Sequence, residues 1–154
     1  MLSNWIADKR LSDRERESRR EERRDRLAVR RNDFQRETLL ALQVASQKLL
    51  RTTGAMLHQD QMAFRQTGKW QRQQFTNDLS DEHHRWITET MLLASRIRDS
   101  QTRTFADQLR SYAAVVCASP DRDTAESRMR AAADTQQALL ERTGKLIRAL
   151  DDED

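Results

Sequence analysis

The chain has 154 residues, of which 34% are charged, 36% hydrophobic and only 5% aromatic, with three Gly and one Pro. This composition excludes a large aromatic-rich core and is typical of long helices and coiled coils. The formal net charge is only +3, so the total charge predicts no single-sign field around the molecule. We therefore expect an all-α protein.

Cys117 is the single cysteine, which excludes an internal disulfide and favours a reducing compartment. The longest apolar run is residues 112–118, far shorter than the ~20 residues that cross a bilayer. The first residues also lack the basic segment and apolar run of a signal peptide. We therefore predict a cytoplasmic protein, with a membrane-peripheral location as the alternative.

The chain begins with a short amphipathic segment, residues 1–12. Such a segment is typical of a terminus that frays, docks on a partner or touches a membrane surface. Ser12 followed by Glu15 matches the capping box that begins many helices, and it predicts a first helix over about residues 13–66. The large apolar side chains of the segment are Leu2, Trp5, Ile6 and Leu11.

Residues 13–38 are predicted to form a charged helical arm. Glu and Arg stand three or four residues apart at four places, where each pair stabilises a helix by ~0.2–0.5 kcal/mol. Together these pairs can hold a helix that has no core behind it. The pairs are Glu15–Arg19, Glu22–Arg26, Glu17–Arg20 and Glu21–Arg24. The sizeable apolar residues of the arm are Leu27, Val29 and Phe34.

Beyond residue 39 the first helix carries two adjacent heptad lines, which make an apolar face wide enough for two neighbouring helices. Gly68 predicts the end of this helix, because Gly commonly follows a helix C-terminus. The first line is Leu39, Leu42, Leu49 and Met56, and the second is Leu50, Gly54, Leu57 and Phe64.

Residues 78–118 are predicted to form one continuous central helix, because they hold an apolar stripe at helical spacing without Gly or Pro. Ser119 and Pro120 end this pattern and predict the start of a last helix over about residues 121–150, with Ser119 as its N-cap. Asp123 and Glu126 form an alternative capping box. The candidate N-caps of the central helix are Thr76, Asn77, Asp78 and Ser80.

The last helix has the most regular heptad repeat in the chain. Two of its members are polar, and polar residues in such a seam lower stability and help to fix register. The repeat is Ala125, Met129, Ala132, Gln136, Leu139, Thr143, Leu146 and Leu150. An acidic tail, residues 151–154, follows it.

Helix lengths predict the architecture. At ~1.5 Å per residue, the apolar part of the first helix extends ~39 Å and the last helix ~45 Å. We therefore expect an elongated antiparallel three-helix bundle over residues 39–150, with the last helix parallel to the first and the charged arm projecting beyond it. Surplus apolar residues predict a homodimer or higher helical oligomer. These residues are Leu27, Val29, Phe34, Trp70, Ile87, Met91 and Leu92.

The chain offers little for catalysis. His83 and His84 are adjacent and point ~100° apart on a helix, and Asp81 with His84 is only half of a carboxylate-histidine metal motif. Gly68 with Lys69 resembles a fragment of a phosphate loop, but the earlier Gly and the following Ser or Thr are missing. No nucleophile has a recognisable base. We therefore predict a non-enzymatic protein without cofactor or metal.

The arm carries the candidate interaction residues. Its arginines can meet phosphates, which makes nucleic-acid binding an alternative function. Interleaved acidic residues and the lack of an aromatic platform speak against it. A membrane surface, met by Leu2, Trp5, Ile6 and the basic arm, is a second alternative. We favour a scaffold, adaptor or regulator with an unknown protein partner. The candidate residues are Trp5, Arg16, Arg19, Arg20, Arg23, Arg24, Leu27, Arg30, Arg31 and Phe34.

Two motifs after the Arg- and Glu-rich lead resemble a group of uncharacterised all-helical, coiled-coil-like proteins of high-GC Gram-positive bacteria. The motifs are Arg36-Glu37-Thr38-Leu39-Leu40-Ala41-Leu42-Gln43 and Leu93-Ala94-Ser95-Arg96-Ile97-Arg98-Asp99. The resemblance covers residues 13–150 and implies helical packing, but no activity and no site residues. Many members of the group have a membrane helix before the charged lead, where this chain has residues 2–6.

Overall fold

The computed structural model describes the backbone of residues 2–153 and the side chains of residues 8–153. Within that part of the chain there are four α-helices and no strand. The all-α prediction is therefore confirmed, but the three-helix arrangement is wrong. The helices are α1 (Leu2–Thr67), α2 (Asn77–Ser95), α3 (Ser100–Val116) and α4 (Arg122–Asp151).

The chain divides into two compact units that meet at residues 34 and 35. From here on, the arm means the residues up to Phe34, in place of the predicted 13–38, and the bundle means Gln35–Glu153, in place of 39–150. The predicted helix start at residue 13 is wrong, because α1 already begins at Leu2. Residues 2–12 contain no Gly or Pro, so nothing in the sequence interrupts the helix before Ser12. A capping box stabilises a helix start only where the chain enters the helix there.

Side-chain hydrogen bonds show that α4 runs antiparallel to the bundle part of α1. The Gln43 amide donates to the Thr143 hydroxyl over 2.9 Å, and the Gln136 amide donates to the Ser46 hydroxyl over 3.1 Å. Further along α1, Gln61 donates to Glu126. The predicted parallel orientation is therefore wrong, because the chain reverses once more than the sequence suggested.

The extra reversal divides the predicted central helix into α2 and α3. Asp99 is the N-cap of α3, and its carboxylate accepts from the Thr102 backbone N–H over 2.8 Å. From α1, the Gln35 amide donates to the Arg96 carbonyl over 2.9 Å and accepts from the Arg98 N–H over 3.0 Å. These bonds satisfy backbone groups that a helix break would otherwise leave without partners.

The core lies between the four helices of the bundle and is built mainly from leucine and alanine. The heptad repeat of α4 supplies five of its buried residues: Ala125, Ala132, Gln136, Leu139 and Thr143. Leu39, Leu42, Leu49 and Leu109 are among the largest fully buried side chains. No helix in the described part of the chain combines the length and apolarity needed to cross a membrane.

The helix ends agree only partly with the predicted caps. Gly68 follows α1 with φ 70°, and its N–H donates to the Phe64 carbonyl over 2.8 Å. Thr76 caps α2 by accepting from the Leu79 N–H. Both predictions are confirmed. The N-cap of α4, however, is Asp121, so the two caps predicted for that helix are wrong.

The linker between α1 and α2, residues 68–76, is held to the bundle by long-range hydrogen bonds, among them the following two. The Trp70 indole N–H donates to the Ser119 carbonyl over 3.0 Å. The buried carboxylate of Asp60 accepts from the Gln74 N–H over 2.6 Å. Ser119 thus receives the linker instead of capping α4, and the linker packs as part of the bundle.

Candidate interaction surface

The arm is helical without packing against a core. Every described side chain from residue 8 to residue 31 is exposed. Two of the four predicted ion pairs form: Arg19 lies 3.6 Å from Glu15, and Arg26 lies 3.4 Å from Glu22. The two pairs predicted three residues apart, Glu17–Arg20 and Glu21–Arg24, do not form, so Arg20 and Arg24 are left available.

Charge on the arm is segregated around the helix. Residues of an α-helix are turned by about 100° from one to the next, so a direction around the axis can be assigned to each side chain. Within about 60° of the direction of Leu27, the described arm carries seven basic residues and one acidic residue, Asp13. We call this surface the basic face. Its basic and apolar residues are Lys9, Arg16, Arg20, Arg23, Arg24, Leu27, Arg30, Arg31 and Phe34.

The opposite side of the arm is acidic. The remaining seven acidic residues from residue 8 to residue 34 lie outside the basic face, together with four arginines. The ion pairs of Arg19 and Arg26 lie on this side. On the basic face, five arginines have no carboxylate within 4.0 Å among the described residues. They are Arg16, Arg20, Arg23, Arg24 and Arg30.

The structure brings most of the predicted interaction residues together. Eight of the ten lie on the basic face, where Leu27 and Phe34 keep 44% and 50% of their surface exposed. The Arg31 guanidinium donates to the Leu27 carbonyl over 3.3 Å. Arg19 lies outside the face, in its pair with Glu15. The side chain of Trp5, like those of Leu2 and Ile6, falls outside the described residues.

No family model, curated protein or solved structure matches this chain.

A second candidate site is a cavity of about 310 Å³ in the bundle, lined in part by His83 and Cys117. His83 Nε2 lies 3.0 Å from the Thr53 hydroxyl oxygen. That hydroxyl donates to the Leu49 carbonyl over 2.7 Å, so Nε2 must supply the hydrogen to Thr53. Burial and the neighbouring His84 lower the pKa of His83 to about 4. His83 is therefore a neutral donor at pH 7.

The Cys117 thiol, which lines this cavity, is unreactive. Burial, with the carboxylate of Asp60 beside it, raises the pKa of Cys117 to about 12. Burial also raises the pKa of the Asp60 carboxyl group. A reactive cysteine needs a lowered pKa and access to solvent, and Cys117 is buried. Among residues 8–153, no three His, Cys, Asp or Glu side chains come together in a way that could hold a metal ion.

The bundle also exposes apolar side chains. Leu40 and Val44, one helical turn apart on α1, keep 46% and 51% of their surface exposed. Of the residues predicted to be buried by a second chain, Trp70 and Ile87 instead pack against the core of their own chain. Leu92 remains 46% exposed. Leu92 therefore stays available for contact with a second chain, as the sequence suggested, whereas Leu40 and Val44 were not predicted.

Proposed function

We propose that this chain is a non-enzymatic helical interaction protein, a scaffold or adaptor whose bundle self-associates and whose arm binds a different partner. The observation that carries the proposal is the arm, a helix whose described side chains from residue 8 to residue 31 are all exposed. Helices without packing are only marginally stable in water. A partner laid along the arm would supply the packing that its own chain does not.

Self-association through the bundle is supported by Leu40 and Val44. Their side chains together present a small apolar surface on α1, and burying apolar surface is the main driving force of association. The basic face is less suited to a second copy of itself, because like charges that meet across an interface are destabilising. Leu27 and Phe34 lie among the arginines of that face. The arm therefore calls for a partner with different chemistry.

The absence of chemistry in the cavity supports a non-enzymatic role. His83 is neutral and already bonded to Thr53, and Cys117 holds its proton. The pKa values of both groups are shifted away from neutral pH, whereas general bases and activated nucleophiles need a pKa near it. The buried free thiol also supports action in a reducing, cytoplasmic compartment.

Size-exclusion chromatography with light scattering tests the self-association. The chain has a mass of 18.1 kDa, and we expect at least twice that mass at micromolar concentrations. The double variant Leu40→Gln with Val44→Gln should return the mass to that of one chain. The matched control, Leu11→Gln with Val29→Gln, makes the same chemical change on the arm and should keep the wild-type mass. A monomeric wild-type chain at all concentrations would contradict the proposal.

A further inference from the structure

We infer that the basic face of the arm binds duplex DNA by lying in its major groove. This inference rests on the proposed function in one respect only, that the arm is a binding element. It names the chemistry of the partner, a regular polyanion.

Charge complementarity is the first argument. The basic face carries seven basic residues and one acidic residue, and five of its arginines have no carboxylate within 4.0 Å among the described residues. Read along the chain, acidic residues are interleaved with these arginines and argue against nucleic-acid binding. In the folded helix the acidic residues do not oppose DNA binding by this face, because all but one of them lie outside it.

The arrangement of the arginines is the second argument. From Arg16 to Arg31 the face extends ~22 Å at ~1.5 Å per residue. Arg23 and Arg30 lie on one flank of the Leu27 direction, and Arg24 and Arg31 lie on the other. A major groove about 12 Å wide admits one α-helix and has a wall of phosphates on each side. The two flanks therefore match the two walls, and the acidic side of the helix faces solvent.

The composition of the face disfavours other helical partners. A coiled-coil seam needs apolar residues at alternating steps of three and four, and the described part of this face has only Leu27 and Phe34. Insertion into a membrane surface needs a broad apolar side, which two half-exposed side chains do not provide. Arginine predominates here, and its planar guanidinium matches phosphate oxygens in bidentate geometry.

Fluorescence anisotropy of a labelled DNA duplex, titrated with the full chain at several salt concentrations, tests the inference. With six arginines on phosphates, affinity should fall about 10³-fold between 50 and 200 mM salt. The variant Arg16→Gln, Arg23→Gln, Arg30→Gln leaves three contacts, so its affinity should fall only about 40-fold over that range. It should also bind more weakly than wild type at the lower salt concentration.

The matched control is Arg14→Gln, Arg19→Gln, Arg26→Gln, which removes the same charge from the acidic side. It should keep the wild-type salt dependence and most of the affinity. Glutamine is close to arginine in helix propensity. The control also removes the ion pairs of Arg19 and Arg26, each worth ~0.2–0.5 kcal/mol, so circular dichroism must show equal helix content in the two variants. Equal weakening by the two triple variants would overturn the assignment to the basic face.

Three further results would overturn the inference. They are no binding to DNA at low salt, binding to phosphatidylserine vesicles without binding to DNA, and equal affinity for duplex RNA, whose major groove is too narrow for a helix. Weaker binding to RNA than to DNA would support it. The mass measurement remains independent: loss of DNA binding with an intact oligomer refutes this inference alone, and a DNA-binding monomer refutes the self-association alone.

Discussion

Replacement of Asp99 is predicted to destabilise the bundle through two separate contacts. As the N-cap of α3, Asp99 accepts from the Thr102 N–H, and losing such a cap costs about 1 kcal/mol. Its carboxylate also receives two hydrogen bonds from the Arg142 guanidinium, of 2.6 and 3.0 Å. The Asp99 side chain keeps only 18% of its surface exposed, so this pair is better shielded from water than a surface pair. We expect Asp99→Ala to lower the free energy of unfolding by about 2 kcal/mol.

Asp99→Asn separates the two contributions. Asparagine caps helices about as well as aspartate, so this variant keeps the cap and loses the charged pair. It should lie between wild type and Asp99→Ala, about 1 kcal/mol from each. Urea denaturation followed by circular dichroism at neutral pH measures the differences, and the dependence on urea should stay unchanged. Equal stabilities of the alanine and asparagine variants would refute the capping role.

The same pair predicts a pH dependence. The Arg142 hydrogen bond, with those from Thr102, holds the pKa of Asp99 well below its usual range. A carboxyl group with a lowered folded-state pKa contributes its full stability above its unfolded pKa of about 3.9 and loses it as the pH falls toward the folded value. The stability difference between wild type and Asp99→Asn should therefore shrink below about pH 4. A difference that stays constant down to pH 2 would refute this assignment.

Three further predictions follow from single positions in the bundle. Gly54→Ala should raise the free energy of unfolding by up to ~1 kcal/mol, since the new Cβ would meet only the terminal Cε of the unbranched Met129 side chain, at 3.3 Å. A loss of stability in thermal unfolding would show that Met129 cannot shift to make room. Because the pKa of His83 is lowered to about 4, wild-type stability should fall as the pH drops from about 6.5 to 4. His83→Gln should weaken that fall and the exposed control His58→Gln should keep it, as acid titrations of unfolding will measure. Cys117 should react with a thiol reagent only at the rate of opening of the bundle, because it is buried and its pKa is about 12; rapid labelling of the native chain would contradict this.

Two helix ends and the buried side of α4 could be predicted from the sequence, because neighbouring residues determine them. Thr76 and Gly68 mark helix ends through hydrogen bonds to residues three or four positions away, and the α4 heptad repeat points to the buried side of that helix. These features depend on contacts between residues that are close together in the sequence, so a local pattern is enough to predict them.

The break between α2 and α3 was missed because its stabilising contacts come from distant parts of the chain. Gln35 bonds to the carbonyl of Arg96, 61 positions away, and Arg142 bonds to Asp99 across 43 positions. Without Gly or Pro in this stretch, the apolar stripe alone predicts one helix. The local signal present was Asp99 followed three residues later by Thr102, a weak capping pattern. One missed reversal then inverted the predicted direction of α4.

The sequence predicted most residues of the basic face but not that they lie on one side of the helix. Eight of the ten residues chosen for charge or exposed apolar character lie on the basic face. The segregation was already contained in the spacing of Arg16, Arg20, Arg23, Leu27 and Phe34, which recur at steps of three, four and seven. Reading the charges along the chain hid it, because consecutive residues of a helix point in different directions.

The hydrogen bonds between residues 68–76 and the bundle should slow proteolysis of this linker. Lys69 and Arg72 are exposed in residues 68–76 and offer cleavage sites to trypsin, yet Trp70 and Gln74 on either side of Arg72 are bonded to the bundle. A protease must therefore wait for the linker to detach before it can cut. Once the linker is cut, the fragments should stay together in native buffer and separate only in denaturant, since the core contacts that join them do not depend on an intact backbone.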